Sequence, residues 1–323
     1  MENRKLKVSA TPHIRAKGTV SDIMLDVIIA LAFPAIVGTF YFGFRAALIV
    51  LVSVAACVGF EFLFNIVGKR RQSVGDLSAV VTGMLLAFGL PVSVPLWVPV
   101  VGAGFAIIVV KMIFGGMGQN FINPALGGRA FLLAAYPVLL TNWDPGANGR
   151  VVDAFSGATP LAALRLGEGF VNADLTNAFL GRTLGSIGET AAVAILLGGL
   201  FLLWRRVISW RIPATYIATF ALLAWVFGRG DGMFTGHVLY ELFLGSVLLG
   251  AVFMATDYST SPVTPRGQLI FGAGCGALNA IFRFYSGLPE GTTYAIMLMN
   301  LCTPLIDRFT RPKVYGHRKE RSA

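Results

Sequence analysis

Apolar runs recur along almost the whole chain, and no other feature of it narrows the possible folds so far. They lie near 22–42, 46–67, 74–90, 95–114, 121–140, 187–204, 212–228, 237–255, 267–285 and 292–306. A helix needs about 20 predominantly apolar residues to cross a ~30 Å hydrocarbon core, and several of these runs approach that length. Lipid cannot satisfy open backbone groups, so chains of this kind cross as helices. The expected fold is all-α: a polytopic membrane protein with about ten transmembrane helices. Composition agrees, since 55% of residues are hydrophobic and 13% charged, at a mean hydropathy of +0.72. Soluble domains carry roughly a quarter charged residues. The stretch from Met1 to Ser21 is basic and polar with no apolar core, so it does not read as a cleavable signal.

The net charge of +10 is spread between the apolar runs, not along one soluble face, which argues against a nucleic-acid partner. Lys and Arg concentrate in alternate connections: Arg4 to Lys17, Lys69 to Arg71, Arg205 to Arg211, Arg266, and Arg308 to Arg321. The remaining connections hold scattered ones, such as Arg45, Arg150, Arg165, Arg182 and Arg229. Positive residues stay on the cytoplasmic side, so both termini are expected there and the long middle connection outside. This divides the chain into an N-terminal tail (1–21), a first five-helix half (22–140), an outer loop (141–186), a second five-helix half (187–306) and a basic cytoplasmic tail (307–323).

Aligned with itself at an offset of 170, the chain shows a repeat: Gly102-Ala-Gly104 falls on Gly272-Ala-Gly274, and Pro95 falls on Pro265. Five helices per half is an odd number, so the second half would enter the bilayer from the opposite side. Inverted repeats of this kind place a site near mid-membrane, between the halves. Gly89 to Pro95 and Asp257 to Pro265 interrupt matching joins. Each is either an interfacial turn or a break lining a polar cavity.

Metal and nucleotide frameworks are missing from the pattern. Cys57, Cys275 and Cys302 lie in apolar runs without a Cys-x-x-Cys pair, and His13, His237 and His317 are dispersed. Gly115-Gly-Met-Gly118 sits at a turn between apolar runs and lacks the strand–turn–helix context of a dinucleotide site. Ionisable residues within apolar runs carry more weight, because lipid makes them costly. Glu61 lies inside the second run, Glu241 in the eighth and Arg129 in the fifth; Glu61 and Arg129 could neutralise each other. Asp257 and Asp307 lie near run ends, where Arg266 and Arg308 offer exposed charge pairs. Asn120 supplies a hard amide oxygen and an amide donor, and Asn123 before Pro124 suits a helix N-cap.

The middle connection holds Asp153-Ala-Phe-Ser-Gly-Ala-Thr159, followed by Pro160. From the residues alone this is either a turn with a cap or an accessible hydroxyl open to esterification.

The heptad resembles the flavinylation motif of ion-pumping membrane redox complexes, in which FMN is joined through its phosphate to the threonine. Gly115 to Ala125, Met254 to Pro262, Arg266 to Gly272 and Pro289-Glu-Gly291 are similar to segments of the same family, in order, over nearly the whole chain. That family is the D subunit of the Rnf complex, with the B subunit of the sodium-pumping NADH:quinone oxidoreductase as its close relative. The short N-terminal tail is closer to the Rnf subunit. The resemblance implies covalent FMN on Thr159, with Asp153, Ser156, Gly157 and Ala158 completing the attachment motif. It further implies a flavin transferase for maturation, riboflavin as a second flavin, partner subunits, and electron relay between ferredoxin and NAD coupled to sodium or proton movement. The expected location is a bacterial or archaeal cytoplasmic membrane. Asp257 and Asp307 become candidates for the cation path, alongside Glu61, and Asn120 a candidate flavin contact. The alternatives are a subunit of the quinone-linked complex, or a solute channel or transporter without flavin.

Overall fold

The computed structural model describes residues 18–141, 175–181, 185–189, 192–228, 234, 236–286 and 290–312, and among them there is no β-strand. Helix α1 (Val20–Phe42) opens on a reciprocal cap: Thr19 Oγ1 accepts from the Asp22 N–H at 3.3 Å, and Asp22 accepts from the Thr19 N–H at 2.8 Å. Gly43, at φ 79°, turns the chain directly into α2 (Phe44–Val67). These two helices are long and apolar enough to cross a membrane. The remaining elements are α3 (Ser78–Phe88), α4 (Trp97–Gly104, continued by Phe105–Met112), α5 (Pro124–Ala135), α6 (Pro137–Thr141) and α7 (Leu175–Leu180). They are followed by α8 (Ala192–Trp204), α9 (Arg211–Phe227), α10 (Val238–Phe243), α11 (Val247–Leu249, continued by Gly250–Met254), α12 (Pro265–Tyr285) and α13 (Thr292–Thr310).

Each apolar run therefore carries a helix, but two of them are divided. The run at 121–140 breaks at Tyr136, ahead of Pro137, whose missing N–H and ring cannot continue α5. A second run breaks further along. The run at 237–255, expected as one helix, is broken at Leu244–Ser246, where Gly245 takes φ 87°. Arg283 of α12, 1% exposed, donates to Leu244 O at 3.0 Å and so satisfies a carbonyl that the break releases. Arg45 performs the same service at the interruption after α3, donating to Val92 O at 2.9 Å and Val94 O at 3.2 Å.

Two helical stretches are wound more widely than an α-helix. The Ile113 N–H bonds to Ile108 O at 3.0 Å, and in α11 the Ala255 N–H bonds to Gly250 O at 2.8 Å. These i to i−5 bonds are π-helical, a form that gathers at functional sites. The wide turns of α4 have no counterpart at the repeat offset, because the matching part of α12 is regular α-helix.

Small residues set the closest approaches. Gly83 of α3 lies against α2, where an added Cβ would come within 2.6 Å of Val54 Cα, and Ser53 Oγ donates to Gly83 O at 2.8 Å. Gly276 of α12 faces α9, with Tyr216 O only 2.5 Å from the same hypothetical atom. Bulky apolar side chains meanwhile point outward, including Val67 at 83% and Phe309 at 80% exposure. Exposed apolar surface on this scale marks a membrane or partner face.

Cross-links sort the helix ends into two groups. Arg205 after α8 pairs with Asp26 of α1 at 3.0 Å, Arg70 after α2 donates to Met112 O at 3.2 Å, and Tyr258 donates to Val207 O. Thr264 and Thr310 share a hydroxyl bond of 2.5 Å at the same end. At the opposite end the Ile187 N–H bonds to Leu90 O at 3.2 Å. Between the ends, α5 and α13 run antiparallel and overlap. The Asn123 N–H at the start of α5 bonds to the Asn300 side-chain oxygen at 3.1 Å, deep inside α13. Arg129, further along α5, reaches Glu290 just before α13 begins.

Candidate functional site

The first polar cluster centres on Lys111, which the last wide turn of α4 places against α2 and α3. Its Nζ donates to Glu61 Oε2 at 2.6 Å and to Ser78 Oγ at 2.6 Å. Glu61 is fully buried and Lys111 is 2% exposed. Ser73 Oγ donates to Glu61 Oε1 at 2.5 Å, and Asn65 donates to Ser73 Oγ at 3.0 Å. Ser78 directs its own hydroxyl proton to Asp76, which also accepts from the Ser78 N–H at 2.8 Å. An ammonium and a carboxylate are thus buried as a pair, with two hydrogen bonds from the ammonium and one on each carboxylate oxygen to offset their loss of water.

Beside Lys111 lies a cavity of about 80 Å³, room for on the order of five waters. Ser78, Thr82, Lys111, Asn120, Thr256 and Asp257 give it a polar wall, and α1 and α8 close it with Met24, Val27 and Leu202. Asn120 donates to Ile122 O at 3.1 Å and to Ser259 Oγ at 3.1 Å, tying the turn before α5 to the segment after α11. Asn123 caps α5 by accepting from the Ala125 N–H at 3.0 Å and donates to Met254 O at 3.2 Å. Asp257 accepts from Ser259 Oγ at 2.9 Å and Thr260 Oγ1 at 3.2 Å. Burial pushes the Asp257 carboxyl above the ordinary carboxylate range, against the pull of those hydrogen bonds. Oxygen donors, one carboxylate and one ammonium around a small cavity suit the handling of a hard monovalent cation or a proton.

The second cluster centres on Arg129 in α5. Its guanidinium donates to Glu189 Oε1 at 2.6 Å and Glu290 Oε2 at 2.9 Å, one nitrogen to each. Ser186 donates to Glu189, and Ser246, from the break before α11, donates to Glu290 at 2.7 Å. Gly89 admits the arginine: a Cβ there would lie 2.8 Å from Arg129 Cδ.

The structure brings Asn120 and Asp257 together on one cavity, with Glu61 immediately behind Lys111. Asp307 is elsewhere, accepting from the Val263 N–H at 3.3 Å. Among the described residues no ion pair joins Asp257 to Arg266 or Asp307 to Arg308, nor does Glu61 meet Arg129. Those last two take different partners because α4 supplies Lys111 to one, and two separate segments supply glutamates to the other. Asp153, Ser156, Gly157, Ala158 and Thr159 lie outside the described residues. Sequence reasoning assigns no role to Lys111, Glu189 or Glu290. A lone lysine inside an apolar run is the available signal for Lys111, while Glu290 stands in the Pro289-Glu-Gly291 segment with nothing local to indicate its partner.

Known proteins of similar sequence bear on what such a site does. The family model described as "NQR2, RnfD, RnfE family" matches residues 7–316. The D subunit of the Na(+)-translocating ferredoxin:NAD(+) oxidoreductase complex of Acetobacterium woodii is 46% identical over 318 residues, 98% of this chain and 97% of that one. The D subunit of the proton-translocating ferredoxin:NAD(+) oxidoreductase complex of Clostridium ljungdahlii is 40% identical over 97% of this chain and 96% of its own length. The D subunit of the ion-translocating oxidoreductase complex of Halorhodospira halophila is 38% identical over 95% and 94%.

Proposed function

The chain belongs to the NQR2, RnfD, RnfE family, and from that premise we propose that it is the D subunit of an ion-translocating ferredoxin:NAD oxidoreductase. It works as a membrane redox subunit within a larger complex and moves sodium or protons as electrons pass. The observation that carries the ion-handling part is the cavity on which Lys111, Asn120 and Asp257 converge at interruptions of the helical framework. Broken helices around a polar cavity are where transporters collect oxygen ligands for an ion.

FMN is attached to Thr159 through a phosphoester, within the motif formed by Asp153, Ser156, Gly157 and Ala158. FMN would supply exchange of one or two electrons; the protein supplies its position. A flavin transferase installs it, and riboflavin is a second flavin of the complex. The helices that flank the motif-bearing stretch are α6, which follows α5, and α7, which packs on α10. Both belong to the end opposite the basic connections at Arg70, Arg205 and Arg266, which supports attachment on the outer side. In this reading about ten helical spans form two inverted halves in a bacterial or archaeal cytoplasmic membrane, with both termini inside.

The test is direct. Thr159→Val should abolish ultraviolet fluorescence of the denatured band while the protein stays in the membrane. A band that is fluorescent in the variant moves the attachment elsewhere. A colourless band in the native complex, expressed with its transferase, would favour a transporter without flavin.

A further inference from the structure

We propose that Lys111 sets the charge selectivity of the cavity, holding it to a single monovalent cation and excluding divalent ones. This rests on the reading of the Asp257 cavity as part of the ion path. Asp257 lines the cavity as a carboxylate and Lys111 lines it as an ammonium; Glu61, fully buried, lies directly behind Lys111 at 2.6 Å. Taken together, the three ionised groups leave one negative charge. One monovalent cation neutralises that set, whereas a divalent cation would leave a positive charge in a low-dielectric interior, where uncompensated charge is expensive. Asp76 joins Lys111 only through the Ser78 hydroxyl, lines no part of the cavity and is partly exposed, so solvent screens its charge and it stays outside this count.

The neutral ligands do not themselves reject a divalent ion. Ser78, Thr82, Asn120, Thr256 and Ser259 are oxygen donors, and calcium takes hard oxygens in flexible numbers. Lys111 is therefore the group on which discrimination turns. The widely wound end of α4 makes its placement possible, bringing the ammonium between the cavity and Glu61 without exposing it. Ser78 shares the ammonium with Glu61, so Lys111 is held on two sides.

The charge count orders a set of variants. Lys111→Met raises the deficit to two negative charges and should create a calcium site. Lys111→Met combined with Glu61→Gln returns it to one and should remove that site again. Glu61→Gln alone leaves none and should weaken monovalent cation affinity at least tenfold. The measurement is calcium binding by the purified, fully assembled complex, with calcium chloride as the probe and binding followed by isothermal titration calorimetry. Lys111→Met should gain one calcium per complex over the native form, bound at least tenfold more tightly than any native site, and Asp257→Asn in that background should abolish it. No gain of calcium binding in an assembled Lys111→Met complex overturns the proposal. If that variant does not assemble, unchanged cation affinity in Glu61→Gln overturns it instead. Failure of the underlying reading has a separate signature: Asp257→Asn alone would leave ion-coupled turnover unaltered at full flavin content.

Discussion

The Lys111 and Arg129 clusters each bury one cation against glutamate, but they are built for different ends. Lys111 touches one glutamate and one serine and borders a cavity. Arg129 spans two glutamates with separate nitrogens, each glutamate also accepts from a serine, and the backbone of Gly89 closes over the guanidinium. A guanidinium is a rigid, permanently charged fork, whereas an ammonium is a compact charge on a flexible stem. The first cluster leaves its cation room to exchange partners with an ion; the second uses its cation as a rivet between α5, α13 and the segment before α8. Burial alone does not distinguish a working charge from a structural one. The number of partners and the presence of space beside it do.

The two clusters should differ most when Arg129 is replaced. Arg129→Met strands two buried carboxylates, and breaking a buried pair in this way costs about 3–5 kcal/mol. The expected outcome is loss of the protein from purified complex, or a large fall in its thermal unfolding midpoint. Arg129→Lys should recover only part, since one ammonium cannot reproduce the fork. Lys111→Met should be milder, because it strands one buried carboxylate instead of two and Ser73 still donates to Glu61. Equal losses at the two positions, in thermal scans of the same complex, would erase the distinction.

Asp257→Asn should leave the unfolding midpoint close to native while altering the dependence of turnover on the coupled ion. The raised Asp257 pKa gives the sign of a further effect. Its carboxylate form, the one that attracts a cation, is lost as pH falls, and at a higher pH than for an ordinary aspartate. Lys111, with Glu61 behind it, faces the same cavity and keeps its place in Asp257→Asn. Apparent cation affinity should therefore weaken with acidification in the native complex and become flatter with pH in the variant. Asp307→Asn should have the smallest effect, since its 3.3 Å contact with the Val263 N–H is worth about 0.5–1.5 kcal/mol and it lines no part of the cavity. An ion-coupling defect at Asp307 equal to that at Asp257 would enlarge the site beyond the cavity.

Much of the helical framework is legible in the sequence because apolar length and Pro–Gly punctuation are local signals. The runs, the Asn123 cap and the interruptions after α3 and after α11 all follow from neighbours in sequence. The break at Leu244–Ser246 is hidden because Gly245 sits among Phe243, Leu244 and Val247, where glycine looks like a packing residue. The ion pairs are illegible for a different reason. Partners in the two clusters are 50, 60 and 161 residues apart, and no periodicity relates such positions. Placing Glu61 opposite Arg129 is reasonable on charge, but it omits Lys111 and both glutamates that answer Arg129.

The overlap of α5 and α13 has an electrical consequence once the protein is set in its membrane. Asn123, which faces the segment beside the cavity, and Arg129 lie on one helix six residues apart, a rise of about 9 Å. Apolar side chains there separate two polar regions that each approach from their own end, and this layer is far thinner than the ~30 Å of lipid outside. Voltage falls where the dielectric constant is low, so with water admitted to both polar regions the membrane potential would be concentrated across that short step. A unit charge crossing the full potential exchanges about 2.3 kcal/mol per 100 mV. Most of that work would then be done between Asn123 and Arg129, over a distance that one side chain can nearly span.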